Sequence, residues 1–208
     1  MLLAKLARQL SGTHHPFIST IYIRTSTAFM NNTASALQFL IGQLFDLYSY
    51  VILARFLLQL VRADFYNPIS QFVVKATNPL LLPLRKVIPG FLGLDWSALV
   101  LLWAFQTLKI VLLVLIAGLS VHPVNALIGS LIGCVSLTIG FYLFIIFVQI
   151  ILSWVAPYQQ NPMSLVLHQL SEPLLGPARR LLPPIAGLDI SPILVILMLS
   201  TLKVFLVG

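Results

Sequence analysis

Charge is scarce in this chain. Only 8% of its 208 residues are Asp, Glu, Lys or Arg, whereas a soluble domain usually has about 25%. So few charges cannot cover a surface that faces water, and hydrophobic residues make up 59% of the chain. Much of the surface must therefore face lipid. The scarcity excludes an ordinary soluble domain and indicates an integral membrane protein.

Cysteine and acidic residues are rare as well. Cys134 is the single cysteine, which excludes an internal disulfide, and we expect no thiolate metal site. Five acidic and twelve basic residues leave a formal net charge of +7. In a membrane protein this excess concerns topology and lipid head groups. The sequence has no basic groove with interleaved aromatic residues, so nucleic acid is not an expected partner.

Catalytic motifs are absent from the sequence. There is no HExxH, no GxSxG, no Walker A motif and no glycine-rich nucleotide fingerprint. The four histidines have no metal-ligand spacing. We therefore expect a protein that is not an enzyme and that needs no cofactor and no metal.

Four long apolar stretches are present, at about residues 37–61, 98–119, 126–155 and 192–207. Each approaches the roughly 20 residues that a helix needs to cross the hydrocarbon. Helices are expected because unpaired backbone groups in lipid cost several kcal/mol each. Residues 1–33 are more polar and are predicted to form a poorly ordered N-terminal extension. A targeting segment is the alternative.

The chain repeats itself. The sequence around Asn67-Pro68 recurs around Asn161-Pro162, 94 residues later and without a gap. Roughly 17 of the 50 residues from Val61 to Ile110 are identical to their partners. This predicts two modules, residues 34–120 and 121–208. The predicted fold is all-α, with four transmembrane helices in two tandem repeats of helix, interfacial helix and helix.

The connector inside each repeat is too apolar for a plain loop and too rich in proline for a spanning helix. Asn67 and Asn161 are predicted N-caps, each followed by a proline that suits the first helical position. We expect a short interfacial helix of about ten residues, or about 15 Å. The later prolines of each connector are expected to break it. A re-entrant dip into the membrane is the alternative.

Both connectors are basic, whereas the hairpin around His122-Pro123 has no Lys or Arg. The positive-inside rule then places the connectors in the cytoplasm and both termini outside. The basic residues of the N-terminal extension argue the other way.

Each connector carries a dibasic pair, Arg85-Lys86 in the first and Arg179-Arg180 in the second. A basic side chain near an anionic leaflet gains about 1 kcal/mol, and Arg can bind a phosphate through two parallel hydrogen bonds. We predict that the pairs bind anionic lipid head groups or an acidic partner. A role in setting topology alone is the alternative.

Asp95 and Asp189 stand near the starts of the second and fourth apolar stretches. Ser97 and Ser191 are the predicted N-caps there, since Pro192 suits a first helical position. An acid near a helix N-terminus contributes about 0.3–1 kcal/mol. Each aspartate could also pair with the arginine ten residues earlier.

Four charged residues lie inside apolar stretches: Asp46, Arg55, Lys109 and Lys203. Such charges are costly unless they are paired or hydrated, and they suggest function. Our first interpretation is that both lysines extend toward the outer interface. A buried pair of Asp46 with Lys109 or Lys203 is one alternative, and an ion or proton path is another.

The connector motifs resemble those of a known family. They are DFYNPISQFVVK at residues 64–75, RKVIP at 85–89, and EPLL with RRLLP in the second copy. They are similar to the YggT (YlmG) family of small bacterial and plastid membrane proteins over about residues 35–208. The resemblance implies a four-span membrane protein of two family modules, linked to envelope or osmotic stress in bacteria and to membrane organisation in plastids. We expect a multi-pass protein of the bacterial inner membrane, and a plastid membrane is the alternative. The family has no established catalytic residues to carry over. Gln169 replaces Lys75 in the second copy, so a role that needs this charge twice is not expected.

These observations favour a non-enzymatic protein that organises or stabilises the inner membrane, or a complex in it, through its basic connectors. Its expected partners are membrane lipids, including anionic ones, and further copies of itself or another membrane protein. The alternative is a small oligomeric ion channel or transporter. Such a pore could be lined by Gln43, Asp46, Gln59, Gln106 and Gln149.

Overall fold

The computed structural model describes residues 16–88, 90, 93–155, 161–181 and 189–207. In this part of the chain it contains six α-helices, and the all-α prediction is confirmed. They are α1 (Pro16–Leu60), α2 (Pro68–Val87), α3 (Trp96–Ile116), α4 (Pro123–Val155), α5 (Pro162–Leu181) and α6 (Ser191–Val207).

Three of the described helices contain stretches long and apolar enough to cross a membrane: Thr33–Leu60, Trp96–Ile116 and Pro123–Ser153. Large apolar side chains such as Phe39, Phe144 and Leu197 lie exposed on the outside of the bundle, as expected for a surface that faces lipid. The fourth predicted span, α6, is apolar but has 17 residues. Its length of about 26 Å is somewhat less than the roughly 30 Å of a bilayer core.

Helix α1 begins well before the first apolar stretch, at Pro16. Residues 16–33, predicted to be poorly ordered, therefore have a helical backbone, while residues 1–15 lie outside the described residues. Adding a residue to an existing helix costs far less than nucleating a new one. A stable span can thus extend a helix into a polar sequence that would not form one alone.

The connector helices α2 and α5 differ from the prediction of a ten-residue helix broken by prolines. Each has 20 residues and continues through two internal prolines. Pro79 and Pro83 are four residues apart and both exposed, as are Pro173 and Pro177 in α5. The carbonyl groups that lose a donor therefore lie on the exposed side, where water or head groups can bind them. The helix continues because the cost of each proline is reduced in this way.

The two halves of the bundle pack in the same order. Helix α1 packs against α3 and α4 packs against α6, while each connector helix contacts both long helices of its own half. Helices α2 and α5 also contact each other. Fully buried side chains at the centre include Ile52, Leu81, Ile145 and Leu175. Within lipid, such close packing stabilises helix association because apolar burial by itself does not.

Helix α1 ends in a Schellman motif. The Arg62 N–H donates to the Gln59 carbonyl at 3.1 Å, and the Ala63 N–H donates to the Leu58 carbonyl at 2.9 Å. Arg62 has a φ of 53°, in the left-handed region that glycine prefers. An arginine in this conformation costs roughly 1–3 kcal/mol. The backbone therefore gives no reason for an arginine at this position.

Candidate functional site

The N-termini of the two connector helices lie together. Asn67 Oδ1 accepts a hydrogen bond from the Ile69 N–H at 2.9 Å, and Asn161 Oδ1 accepts one from the Ser164 N–H at 2.7 Å. Both asparagines thus cap their helices at the predicted positions. Asn67 Nδ2 also donates to the Pro162 carbonyl at 2.8 Å. One cap therefore joins the two connectors.

The predictions that Ser97 and Ser191 are the N-caps of α3 and α6 are wrong. Helix α3 begins at Trp96, so Ser97 lies inside it, and its Oγ donates to the Ile88 carbonyl at 2.6 Å. Ser191 is the first residue of α6, and its N–H donates to Asp189 Oδ1 at 2.9 Å. Each serine hydroxyl donates to an acceptor in the preceding loop, the Ile88 carbonyl for Ser97 and Asp189 Oδ1 for Ser191. The capping carboxylate at α6 is that of Asp189.

The two residues of the first dibasic pair, Arg85 and Lys86, have different surroundings. The Arg85 guanidinium forms an ion pair with Asp95, whose side chain is only 3% exposed. The pair ties the last turn of α2 to the start of α3. Lys86 beside it is exposed and lies in the last turn of α2, where a positive charge favours the helix dipole.

The second dibasic pair repeats this arrangement with one addition. Arg179 Nε donates to Asp189 Oδ2 at 2.9 Å, and Arg179 Nη1 donates to Glu172 Oε2 at 2.8 Å. Burial acts to lower the pKa of Arg179, but the bond to Asp189 and both negative charges outweigh it, so the pKa is raised. Arg180, like Lys86, is exposed.

The pKa of Asp189 moves in the direction that favours its charged form. Partial burial acts to raise it, but hydrogen bonds from Ser191 and Arg179 outweigh burial and lower the pKa. Asp189 therefore stays ionised and holds both the start of α6 and the end of α5.

An ion pair lies within the predicted membrane spans. Lys109 Nζ is 2.6 Å from Asp46 Oδ1, and Gln106 Nε2 donates to the same oxygen at 3.1 Å. The side chains of Lys109 and Asp46 are 16% and 30% exposed. For Lys109 the structure thus shows the paired alternative and not extension toward the interface.

Lys203, the repeat partner of Lys109, has a different environment. Among the described residues it forms no ion pair with a carboxylate. Its Nζ lies 3.6 Å from the point where a Cβ on Gly140 would stand. Gly140 is the residue 94 positions after Asp46, so the second half has the lysine and lacks the acid.

Arg55 lies at the cytoplasmic end of α1 in the predicted topology and lines a cavity with Arg62, Gln59 and Ser70. Sequence reasoning singled out Arg55 only as an intramembrane charge, and it assigned no role to Ser70. The recurrence of Ser70 as Ser164 was a signal that could have drawn attention to it.

Glu172 was also missed as a partner of Arg179. The spacing of seven residues on one helix, two turns apart, was the available signal. His168 Nε2 lies 3.7 Å from Glu172 Oε2. Within the described ranges, no group of three or more His, Cys, Asp or Glu residues could hold a metal ion.

The fold and site together define a class: an all-α protein with long apolar helices, joined by basic helices whose ends are fixed by Arg–Asp pairs. The CCB3/YggT family model matches the chain twice, over residues 34–116 and 128–208. The chain belongs to this family.

Several bacterial proteins are similar in sequence to most of this chain. The Pseudomonas aeruginosa protein PA0392 is 44% identical over 179 residues, which are 85% of this chain and 90% of that protein. The YggT protein of Escherichia coli K12 is 39% identical over 170 residues, 81% of this chain and 88% of its own. The names of these relatives state no activity, substrate or partner. No solved structure matches the chain.

Proposed function

We propose that this protein is a four-span, non-enzymatic component of the bacterial inner membrane that binds anionic lipid through its connector helices. In this arrangement α6 is the fourth span and α2 and α5 lie in the cytoplasmic head-group layer. The two repeats, residues 34–120 and 121–208, have the same orientation because two crossings return the chain to its starting side. The protein would thereby stabilise the membrane, or a complex in it, under envelope or osmotic stress.

One observation carries the proposal. At the end of each connector helix an arginine is held by an aspartate ten residues later, and the next basic residue, Lys86 or Arg180, is exposed. The bound arginine fixes the end of the helix, which leaves its neighbour free to contact a head group. The arrangement occurs twice, so a lipid-facing surface would have two matched basic contacts.

Lipid retention tests the exposed pair directly. Replacing Lys86 and Arg180 with Gln should reduce co-purification of phosphatidylglycerol with the detergent-extracted protein, because each basic residue near an anionic surface contributes about 1 kcal/mol. The charge-preserving control, Lys86→Arg with Arg180→Lys, should retain lipid as the wild type does. Equal retention in the glutamine variant and the control would leave these residues a role in topology only.

Orientation is tested with single cysteines in a Cys134→Ala background. Val87 and Leu181 are 78% and 76% exposed and stand 94 residues apart at the ends of α2 and α5. Cysteines there should react with a membrane-impermeant thiol reagent only after cell lysis. Leu119→Cys, in the exposed hairpin between α3 and α4, should react in intact cells. The reverse pattern would place the connectors outside.

A small oligomeric channel is the competing function. Its best candidate in the sequence, Asp46, is already paired with Lys109 and bonded by Gln106. A carboxylate engaged by two donors supports a structural role more than a place in an ion path.

A further inference from the structure

A cavity of about 300 Å³ lies between the end of α1 and the first turns of α2. Its polar lining consists of Arg55, Gln59, Arg62 and Ser70, and Leu58 and Val74 contribute apolar walls. None of the described residues that line it is acidic. Two arginines, of which Arg62 is exposed, thus line a small, partly open volume, and its described lining holds no carboxylate to balance them.

Hydrogen-bonding capacity is left unused around this cavity. Ser70 is only 4% exposed, and within the described part of the chain its Oγ has no hydrogen-bond partner. Arg55 Nε is likewise buried and unpartnered there. Buried polar groups in folded proteins nearly always have a partner. The lining of the cavity therefore has donors that a bound anion could satisfy.

The backbone at Arg62 supports the same conclusion. Arg62 stands at the left-handed position of the Schellman motif, with a φ of 53°, where glycine would fit without strain. Strain of this kind is most often found where a side chain has a task. Here the side chain that the strained position supplies is a second guanidinium in the cavity.

The nearby charges do not cancel this positive field. Arg85 and Asp95 are close enough to act electrostatically on Arg55, but they are paired with each other. Within the described part of the chain, no carboxylate forms an ion pair with either arginine of the cavity.

We propose that this cavity binds one phosphate group. Arg55 and Arg62 would supply its counter-charge, and the Ser70 hydroxyl would donate to a phosphate oxygen, because guanidinium groups match phosphate geometry. The phosphodiester of an anionic phospholipid and a free phosphate present the same chemistry. The apolar walls would accommodate the first carbons of a lipid.

The chain has its own control for this site. A second cavity, of about 650 Å³, lies against α4 and α5, and five residues lining it stand 94 positions after residues lining the first. In it Gln149 takes the place of Arg55, Ser153 that of Gln59 and Ser164 that of Ser70. Asp64 also lines this cavity, and the described residues of its lining include no arginine, so a phosphate there would meet a carboxylate without a matching positive charge. One phosphate per chain is expected.

The phosphate site does not depend on lipid binding by Lys86 and Arg180, because neither residue lines the cavity. Binding is therefore measured in protein that carries Lys86→Gln and Arg180→Gln, so that surface contacts do not contribute. The probes are dihexanoyl phosphatidylglycerol, inorganic phosphate, and dihexanoylglycerol as the equivalent without phosphate. Isothermal titration calorimetry in detergent gives the affinity and the number of sites.

Arg62→Gly is the decisive variant, since it removes the charge and also relieves the strained backbone. We expect a thermal midpoint no lower than that of the parent, together with about tenfold weaker binding, as for loss of a hydrogen bond to a charged group. Arg55→Gln should act similarly, and Ser70→Ala more weakly. The matched changes Lys75→Gln, which removes one exposed charge from the same connector, and Ser164→Ala should leave the affinity unchanged.

Each outcome has a defined meaning. Binding of phosphatidylglycerol alone, sensitive to Arg62→Gly and Arg55→Gln, identifies a lipid site. Binding of inorganic phosphate with the same sensitivity identifies a site for free phosphate. The proposal is overturned if neither phosphate probe binds, if dihexanoylglycerol binds equally well, or if the affinity is unaffected by Arg62→Gly, Arg55→Gln and Ser70→Ala.

Discussion

The first and second halves of the chain, residues 34–120 and 121–208, use the same Arg–Asp pair in different surroundings. Asp95 is 3% exposed in its pair with Arg85, whereas Asp189 is 34% exposed and shares Arg179 with Glu172. Asn78 occupies the first-half position equivalent to Glu172. The same residues at the same spacing can therefore contribute different amounts to stability, because burial determines the free-energy cost of leaving one charge unpaired.

The charges within the apolar helices differ even more between the halves. Lys109 has Asp46 as its partner, but Lys203 faces the position of Gly140. The basic residue recurs and the acidic residue does not. The two lysines therefore have different partners in the two halves, and the acidic partner, Asp46, belongs to α1.

The largest effect is expected from the buried Arg–Asp pair. Asp95→Asn leaves the Arg85 charge without its partner and should lower the free energy of unfolding by about 3–5 kcal/mol, the usual cost of breaking a buried pair. Asp189→Asn should cost about 1 kcal/mol or less, as an exposed pair does. Unfolding by SDS titration in mixed micelles measures both. Equal losses would show that burial does not distinguish the two halves.

The next effect concerns the charge pair of the spans. Asp46→Asn should lower the free energy of unfolding by about 3 kcal/mol, because the Lys109 ammonium loses its partner. Adding Lys109→Gln should restore part of that loss, as coupled residues do in a double-mutant cycle. Lys203→Gln, the control, should change stability by about 0.5 kcal/mol or less.

The same variants also test the competing channel function. Wild-type protein in liposomes should conduct no ions. A reproducible conductance that disappears in Asp46→Asn, with little loss of stability, would contradict the structural role and favour the channel.

A smaller effect should come from supplying the missing acid. Gly140→Asp places a carboxylate beside Lys203, whose Nζ lies 3.6 Å from the new Cβ position, with the Tyr50 hydroxyl at 3.4 Å. The variant should gain roughly 1 kcal/mol over Gly140→Ala, the control for helix propensity, by a charge-assisted hydrogen bond. A variant less stable than Gly140→Ala would show that the second half cannot accept the pair.

The smallest effect is a pH dependence of the exposed pair. The pKa of Asp189 is lowered in the folded protein. The ionised side chain therefore contributes its full stabilisation at pH values above the pKa of the unfolded state, about 3.9. It is lost as pH falls through the lower folded value. The thermal midpoints of wild type and Asp189→Asn should thus differ at neutral pH and converge in acid. A difference in thermal midpoint that does not change with pH would show that the mutation acts through side-chain shape and not through charge.

The sequence was sufficient for the local features. Apolar stretches predicted the bounds of the long helices to within a few residues, except for the start of α1 at Pro16, since length and hydropathy are properties of contiguous chain. Asn67-Pro68 and its repeat identified the connector starts, because a cap bonds to amides two or three residues away. The prediction that prolines break the connector helix was wrong at Pro79 and Pro83, because whether a proline breaks a helix depends on which face of the helix it occupies.

By itself, then, the sequence determined the all-α class, the apolar spans, the repeat and the basic connectors. Only the tertiary structure decided that Asp46 pairs with Lys109 and not with Lys203, that Asp95 is buried while Asp189 is exposed, and that Arg55, Arg62 and Ser70 line one cavity. The physical reason is distance. Pairing and burial depend on which helices come within a few ångströms of each other, and neither periodicity nor composition records that contact.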